Sequence, residues 1–411
     1  MITVFKRPLF GNLDNPRAFF HLSLVEFLFW LAAAFGGYVT VFLQREGYKA
    51  DQIGFLYALC SVVSILATPF WGMIADKIRS IRKILMFCLL TGALLFAVVP
   101  FSQWIGFNPV MYIFIVILLG TFFRAPIGSL LEIFVVQRAD TERITFSHVR
   151  LWGSISYMIM CFILSRILPR TGVDITFYLY GIFFLPLLIV LWKMKGQDGT
   201  VHRERHSLRS MGIGRLFKSY YFVTFLIFCL LIYIPLSTIG SYLPLLINAT
   251  GDDAAQLGLI YGYTALLEIP MLILIRPLRK KIPLPIIIFG GVFLYGLGTF
   301  LYSRADSILQ IFFFQTFHGL GSGLLVGSIT SYVFSLAPEG LISTANTLCG
   351  AAASSAGIIG NLIAGVLITA LDIHLFYLIL SLILIFAMLF FIVTLVIGIK
   401  VLRMPLTVRR N

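Results

Sequence analysis

The sequence consists of long apolar segments that recur along its whole length and are separated by short polar stretches. A transmembrane helix needs about 20 mainly apolar residues, whereas a strand of an outer-membrane barrel alternates in polarity over about 10 residues. The segments here are continuous and have the helical length. We therefore predict an all-α membrane protein with twelve transmembrane helices, at approximately 18–43, 52–75, 82–101, 110–137, 147–168, 175–194, 218–247, 255–276, 284–302, 308–335, 343–370 and 375–402.

The composition agrees with this prediction. Of the 411 residues, 59% are hydrophobic and 12% are charged, while about 25% of the residues of a typical soluble domain are charged. The start of the chain has no short apolar core followed by a small-residue cleavage site, so we expect the first helix itself to direct insertion. All five cysteines lie inside apolar segments without metal-ligand spacing, which predicts buried thiols and no metal site.

The basic residues predict the orientation of the chain. Loops on one side of the membrane and the two termini hold 24 of the 31 Lys and Arg residues, and loops on the other side hold 5. Because basic loops stay in the cytoplasm, both termini are predicted to be cytoplasmic. The net charge of +14 then reflects topology and attraction to anionic membrane lipids, and we predict no nucleic-acid partner.

One long polar loop divides the predicted helices into six and six. We predict an N-terminal six-helix bundle at 1–194, a cytoplasmic linker at 195–217 and a C-terminal six-helix bundle at 218–411. Two repeats joined in this way are typical of transporters that bind their substrate near the membrane midplane, between the halves.

Several ionisable residues lie within the predicted helices. A charge in the membrane is costly, and it usually pairs with an opposite charge or marks the path of a solute or ion. These residues are Glu26, Arg124, Glu132, Arg150, Glu268 and His318. They predict a binding site inside the protein.

Two of these residues predict the substrate contact. Glu132 and Arg150 lie at similar depths, and an arginine fork can hold a carboxylate with two hydrogen bonds, so we predict a Glu132–Arg150 pair that binds substrate. The alternative is a salt bridge that only fixes the fourth helix against the fifth. Arg124 and Gly128 precede Glu132 at four-residue steps and predict one helix face. Arg124 then either faces the same cavity, where it could receive a carboxylate or phosphate, or pairs with Glu26.

Three residues are candidates for proton coupling. Glu268 is a carboxyl in the middle of a predicted span, where burial favours its protonated form, and the alternative is a neutral packing residue. His318 could bind or couple, or it could be a hydrogen-bonded core residue. Glu26 is the third candidate. Tyr157 is one of several aromatic residues that could stack on a ring-bearing substrate.

Other classes of function lack support in the sequence. There is no Gly-Lys-Ser/Thr loop that would cradle a phosphate, so we predict no direct use of ATP. No nucleophile–base pair is evident. We predict that the protein is not an enzyme and needs no cofactor, with the proton as coupling ion.

The loop after the second predicted helix resembles a signature of the major facilitator superfamily, Gly-x-x-x-Asp-Arg/Lys-x-Gly-Arg-Lys/Arg. Gly72, Asp76 and Lys77 match it, whereas Arg79 stands where the family has glycine. The resemblance implies that this loop helps to lock one conformation through Asp76.

A second resemblance covers the fourth, fifth, eighth and tenth predicted helices. The stretch Ser147-His-Val-Arg-Leu-Trp-Gly-Ser154 resembles the phenylpropionate-permease branch and, more loosely, lactose permease. In lactose permease an acid on helix 4 and an arginine on helix 5 bind the sugar, which implies this role for Glu132 and Arg150. The resemblance likewise implies sugar stacking for Tyr157, and it matches His318 and Glu268 to functional positions. The lactose-permease proton network is not reproduced, because Gly321 replaces its helix-10 acid.

Together, residues and resemblance predict a proton-coupled symporter that imports a sugar, oligosaccharide, nucleoside or aromatic acid by alternating access. We expect a monomer in a bacterial cytoplasmic membrane, with a small-molecule substrate, protons and lipids as partners. One alternative is export of lipophilic compounds by proton antiport, although the fifth helix lacks the Gly-Pro motif of such antiporters. Another is a non-transporting receptor on a transporter fold.

Overall fold

The computed structural model describes residues 15–103, 108–144, 146–194, 214–338 and 341–403. These residues are almost entirely helical. The helices are α1 (Pro16–Ala33), α2 (Val39–Arg45), α3 (Ala50–Ile78), α4 (Ile81–Ala97), α5 (Pro109–Arg124), α6 (Ile127–Thr141), α7 (Phe146–Thr171), α8 (Ile175–Lys193), α9 (Gly214–Lys218), α10 (Tyr220–Ile239), α11 (Leu243–Ala249), α12 (Leu257–Arg279), α13 (Leu284–Tyr302), α14 (Ile308–Leu336), α15 (Ile342–Ala370) and α16 (Ile373–Val396).

In the described part of the chain, eleven helical stretches are long and apolar enough to cross a membrane. The shorter α4 has 17 residues. This confirms a multi-pass helical membrane protein, while the count of twelve spans and the cytoplasmic termini stay predictions. Most of the predicted linker, residues 195–213, lies outside the described residues.

Local sequence explains where several helices begin. Asn15 accepts a hydrogen bond from the Ala18 amide and is followed by Pro16, and Ser80 caps α4 by accepting from the Lys83 amide. Such side chains satisfy amides that have no partner within the helix, and proline is well tolerated in the first turn.

The chain forms two compact units. The first comprises residues 1–38 and 63–202, and the second comprises residues 39–62 and 203–411. The second unit therefore includes α2 and the first half of α3. The functional division of the chain at 195–217 stays a prediction.

The fourth predicted span, 110–137, lies within one helical stretch, Pro109–Thr141, whose hydrogen-bond pattern is interrupted. It breaks at Ala125–Pro126 into α5 and α6, because Pro126 has no N–H to donate to the carbonyl of Phe122. The indole N–H of Trp71 donates to that carbonyl instead, at 3.0 Å. Ala125 and Pro126 keep right-handed helical backbone angles, so the placement of Arg124, Gly128 and Glu132 on one helix face stays a prediction.

The loop after α3 adopts a glycine-like turn without glycine. Arg79 has φ +55°, in the left-handed region that glycine adopts most easily. The amides of Arg79 and Ser80 donate to the carbonyls of Asp76 and Ala75, both at 3.2 Å, which ends α3. The hydrogen bonds that end α3 are thus those of an ordinary helix end, although arginine instead of glycine occupies the left-handed position.

Candidate functional site

The first unit contains a buried ion pair between α1 and α7. The carboxylate of Glu26 is 3.9 Å from Arg150, and its side chain is only 2% exposed. The indole N–H of Trp30, one turn further along α1, donates to the same carboxylate oxygen at 3.0 Å. The guanidinium of Arg150 also lies over the Trp30 ring, 4.1 Å from its centroid. Trp30 therefore holds both members of the pair.

Close approach of α1 and α7 is possible because residue 153 is glycine. A Cβ atom at Gly153 would lie 2.5 Å from the Trp30 ring and 2.9 Å from an Arg150 terminal nitrogen. Tyr157, one turn further along α7, meets the Trp30 ring edge to face, with centroids 6.0 Å apart. The structure thus brings Tyr157 and Arg150 to one place, around an indole that sequence reasoning did not single out.

Glu132 is not the ion-pair partner of Arg150. Among the described residues, the carboxylate within 4.0 Å of Arg150 is that of Glu26. Glu132 is exposed on α6, and its charge acts on Glu26 electrostatically. The predicted Glu132–Arg150 pair is therefore replaced by a Glu26–Arg150 pair with a second carboxylate nearby.

One guanidinium atom of the pair has no hydrogen-bond partner. This buried terminal nitrogen of Arg150 finds no acceptor among the described residues, and the 3.9 Å contact to Glu26 is too long for a hydrogen bond. Arg150 thus holds its countercharge loosely, and its side chain is 35% exposed.

Arg124 lies at the end of α5 and is held by aromatic rings. Its guanidinium carbon is 4.0 Å from the centroid of Phe96 and 4.7 Å from that of Tyr180, and its Nε donates to the Tyr180 hydroxyl at 3.0 Å. The alternative that Arg124 pairs with Glu26 is not realised, because Glu26 faces Arg150.

Arg124 also lines a pocket of about 170 Å³ between α1, α5, α6 and α8. The other lining residues are Phe29, Ala33, Ile127, Gly128, Tyr180 and Phe184. This pocket continues the face of α1 that carries Glu26 and Trp30, since Phe29 and Ala33 follow at helical spacing.

His318 lies in the second unit, and only 2% of it is exposed. Its ring packs against Tyr295 and Tyr302, with centroids 4.5 and 4.6 Å away, and its Nε2 is 3.0 Å from the Thr299 hydroxyl. Its Nδ1 is 3.3 Å from the side-chain oxygen of Gln315. A solute could not touch this ring without displacing a tyrosine, so the geometry is that of a hydrogen-bonded core residue.

The Gln315 amide extends this network. It accepts from the Tyr302 hydroxyl and donates to the Thr264 hydroxyl, so it joins α12, α13 and α14. Glu268, half-buried on α12, acts electrostatically on Tyr295. The structure thus places Glu268 near the network that surrounds His318.

The residues that match the major facilitator signature, Gly72, Asp76 and Lys77, lie near the end of α3. Asp76 and Lys77 are exposed and Gly72 is half-buried, with no neighbouring atom within 4 Å of a Cβ at that position. Arg82 donates to the carbonyls of Leu191 and Met194 at 3.2 and 3.0 Å, which ties this loop to the end of α8.

The sequence prediction missed the residues that hold the charges. Trp30, Tyr180 and Phe96 are three among many aromatic residues, and Gly153 is one of 35 glycines. The four-residue spacing of Glu26 and Trp30 was the available signal, since residues at i and i+4 are neighbours on a helix.

Comparison with known proteins finds a matching family model and several related transporters. The model of the MFS_1-like family matches residues 20–379. Maltose permease of Geobacillus stearothermophilus is 22% identical over 339 residues, which cover 80% of this chain and 83% of that protein. The uncharacterized transporter YwbF of Bacillus subtilis (strain 168) is 22% identical over 78% of each chain.

Solved structures show the same fold. A mutant of the nucleoside transporter NupG superposes with a TM-score of 0.80 at 15% identity, over 92% of this chain and 99% of that chain. At this identity the likeness concerns the fold alone.

Proposed function

The chain belongs to the MFS_1-like family of membrane transporters, and we propose that it is a proton-coupled symporter that imports a small organic solute by alternating access. It is a transporter and not an enzyme, in line with its permease relatives. Proton coupling, direction and substrate class are the proposed part. A bacterial cytoplasmic membrane is the proposed location.

The observation that carries the proposal is the loosely paired Glu26–Arg150 contact. Glu26 is buried in a membrane helix, where an ionised carboxylate without a partner is strongly disfavoured. Arg150 is its countercharge at 3.9 Å. The ionised form of Glu26 thus depends on Arg150, and the Arg150 nitrogen that faces Glu26 has no hydrogen-bond acceptor among the described residues.

This arrangement couples a proton to a solute by competition. When Glu26 takes up a proton, its attraction for Arg150 falls and the guanidinium is free to bind an acceptor group of the solute. When Glu26 releases the proton, its carboxylate competes for Arg150 and favours solute release.

The solute proposed is a sugar, oligosaccharide, nucleoside or aromatic acid. Relatives named as maltose and sucrose permeases support a sugar as the solute, and a relative named as a putative nucleoside transporter supports a nucleoside. Trp30 and Tyr157 offer aromatic faces on which a ring could stack.

Proton flux in liposomes tests the proposal. The purified protein is reconstituted with an internal pH dye, and sugars, nucleosides and aromatic carboxylates are added in turn. We expect acidification with one solute class, and at least a tenfold loss of gradient-driven uptake in Glu26→Gln. Glu46→Gln, an acid outside the spans, is the control and should transport normally.

The parallel variant Glu268→Gln separates the two carboxyl candidates. Loss of coupling in Glu268→Gln, with normal coupling in Glu26→Gln, would show that Glu268, in the second unit, is the proton-coupling residue. Extrusion of a lipophilic dye without proton-linked uptake of any solute would contradict import and support the antiport alternative.

A further inference from the structure

Two thiols of the second unit are in contact across neighbouring helices. A side-chain hydrogen bond joins Cys229, on α10, to Cys349, on α15. Cys229 is completely buried, and Cys349 is 6% exposed. The phenol of Tyr233, one turn after Cys229, is close enough to both sulfurs to interact with them electrostatically. The proposed proton-coupling mechanism involves neither thiol.

The helices that carry these thiols run side by side in the same direction. Gly357 follows Cys349 by eight residues on α15, and a Cβ atom at Gly357 would lie 3.9 Å from the Cβ of Ser237. Ser237 follows Cys229 by eight residues on α10. The register of the two helices is therefore the same at both contacts, which are about 12 Å apart along each helix. Cys229 and Cys349 thus face each other between α10 and α15.

The two helices approach closely because α15 contributes glycine to their contact. A Cβ atom at Gly360 would lie 2.9 Å from the carbonyl oxygen of Ile234 and 3.0 Å from the Thr238 side chain, so the backbones touch at this point. Small residues commonly allow membrane helices to approach in this way. A disulfide requires Cβ atoms about 3.5–4.5 Å apart, a separation that thiols already in contact reach with small shifts.

We propose that Cys229 and Cys349 are an oxidisable dithiol, which a hydroperoxide converts to a disulfide that joins α10 to α15. The hydroperoxide oxidises the partly exposed Cys349 thiol to a sulfenic acid and leaves as the alcohol. The Cys229 sulfur then attacks the Cys349 sulfur, the S–S bond forms, and the displaced hydroxide takes the Cys229 proton and leaves as water. Two thiols and one hydroperoxide thus give one disulfide, one alcohol and one water. This modification does not depend on the identity of the transported solute.

Thiol counting tests the proposal. The purified protein in detergent is treated with tert-butyl hydroperoxide and then denatured in the presence of a maleimide, which alkylates the remaining thiols. All five cysteines are free thiols in the structure, and we expect the alkylated number to fall from five to three. Dithiothreitol should restore five. Mass spectrometry of a non-reducing digest should find one peptide pair linked through residues 229 and 349.

Three single variants identify the thiols. Cys60→Ser is the matched control, because Cys60 is half-buried on α3, and this variant should still lose two thiols and form the linked pair. Cys229→Ser and Cys349→Ser should each form no linked pair. Five alkylated thiols after oxidation, or a linked pair that contains Cys60 in place of either partner, would overturn the proposal.

The melting temperature distinguishes a cross-link from damage to single thiols. A disulfide that closes a long loop restricts the unfolded chain and stabilises the fold, so the oxidised protein should melt a few degrees higher than the reduced protein. The rise should be absent in Cys349→Ser and unchanged in Cys60→Ser. A fall in melting temperature without a linked pair would show that hydroperoxide oxidises the thiols singly, and it would overturn the proposal.

Discussion

At the scale of single residues, arginine occupies backbone positions where glycine would fit with less strain. Arg79, Arg143 and Arg403 have φ values of 55°, 55° and 51°. Arg79 and Arg143 follow the ends of α3 and α6, where a left-handed residue closes the last turn. These arginines lie in segments predicted to be cytoplasmic, where a positive charge supports orientation.

Arg79→Gly should stabilise the protein by about 1 kcal/mol, because the left-handed conformation costs an ordinary residue roughly this amount. The measurement is the melting temperature in detergent. Lys83→Gly, in the first turn of α4, removes the same charge from a right-handed position and should lower the melting temperature. Equal decreases in both variants would show that the charge, and not the backbone conformation, dominates.

At the scale of helices, proline decides the course of the polypeptide near the Arg124 pocket. Pro126 separates α5 from α6 and leaves the Phe122 carbonyl to Trp71. The interruption falls between Arg124 and Glu132. Trp71 also packs on the rings of Phe122 and Phe123.

Trp71→Phe should cost about 1–3 kcal/mol, because it leaves a buried carbonyl without a donor. In a Pro126→Ala background the loss should be smaller by about 1 kcal/mol or more, since alanine at this position restores the backbone N–H that proline lacks. A double-mutant cycle of unfolding free energies in mixed micelles measures this coupling. Trp192→Phe, at a residue that is 66% exposed, is the control and should have little effect. An equal loss of unfolding free energy in both backgrounds would show that the Trp71 indole stabilises the protein by packing alone.

At the scale of the whole molecule, the second unit includes a segment from early in the chain, residues 39–62. The Thr40 hydroxyl donates to the Ser241 carbonyl at 2.8 Å. A Cβ at Gly54 would lie 2.5 Å from the Asn361 carbonyl oxygen, and one at Gly365 would lie 2.9 Å from the Ala50 carbonyl oxygen. Small residues thus let the backbones of α3 and α15 touch, as is common in membrane proteins.

Gly365→Leu should therefore displace α3 from α15, because its side chain would collide with backbone. Cys60, half-buried on the same part of α3, is a natural reporter, and we expect faster alkylation by N-ethylmaleimide. Gly350→Leu, on α15 where a Cβ meets nothing within 4 Å, should leave the rate unchanged. Unchanged alkylation in both variants would show that α15 adjusts without moving α3.

The sequence alone determined the class of the protein and named most of its functional candidates. Long apolar helices leave few alternatives in hydrocarbon, where backbone groups must be satisfied internally, and an ionisable residue such as Glu26 or Arg150 is conspicuous in that background. Only the tertiary structure decided which charges meet. Arg150 faces Glu26 and not Glu132, because Gly153 lets α1 approach α7 closely enough for Trp30 to hold both groups. Arg124 is held by Phe96 and Tyr180, and His318 is enclosed by tyrosines. These pairings depend on how neighbouring helices pack, through contacts between residues far apart in the chain, and the spacing within any one helix does not contain that information.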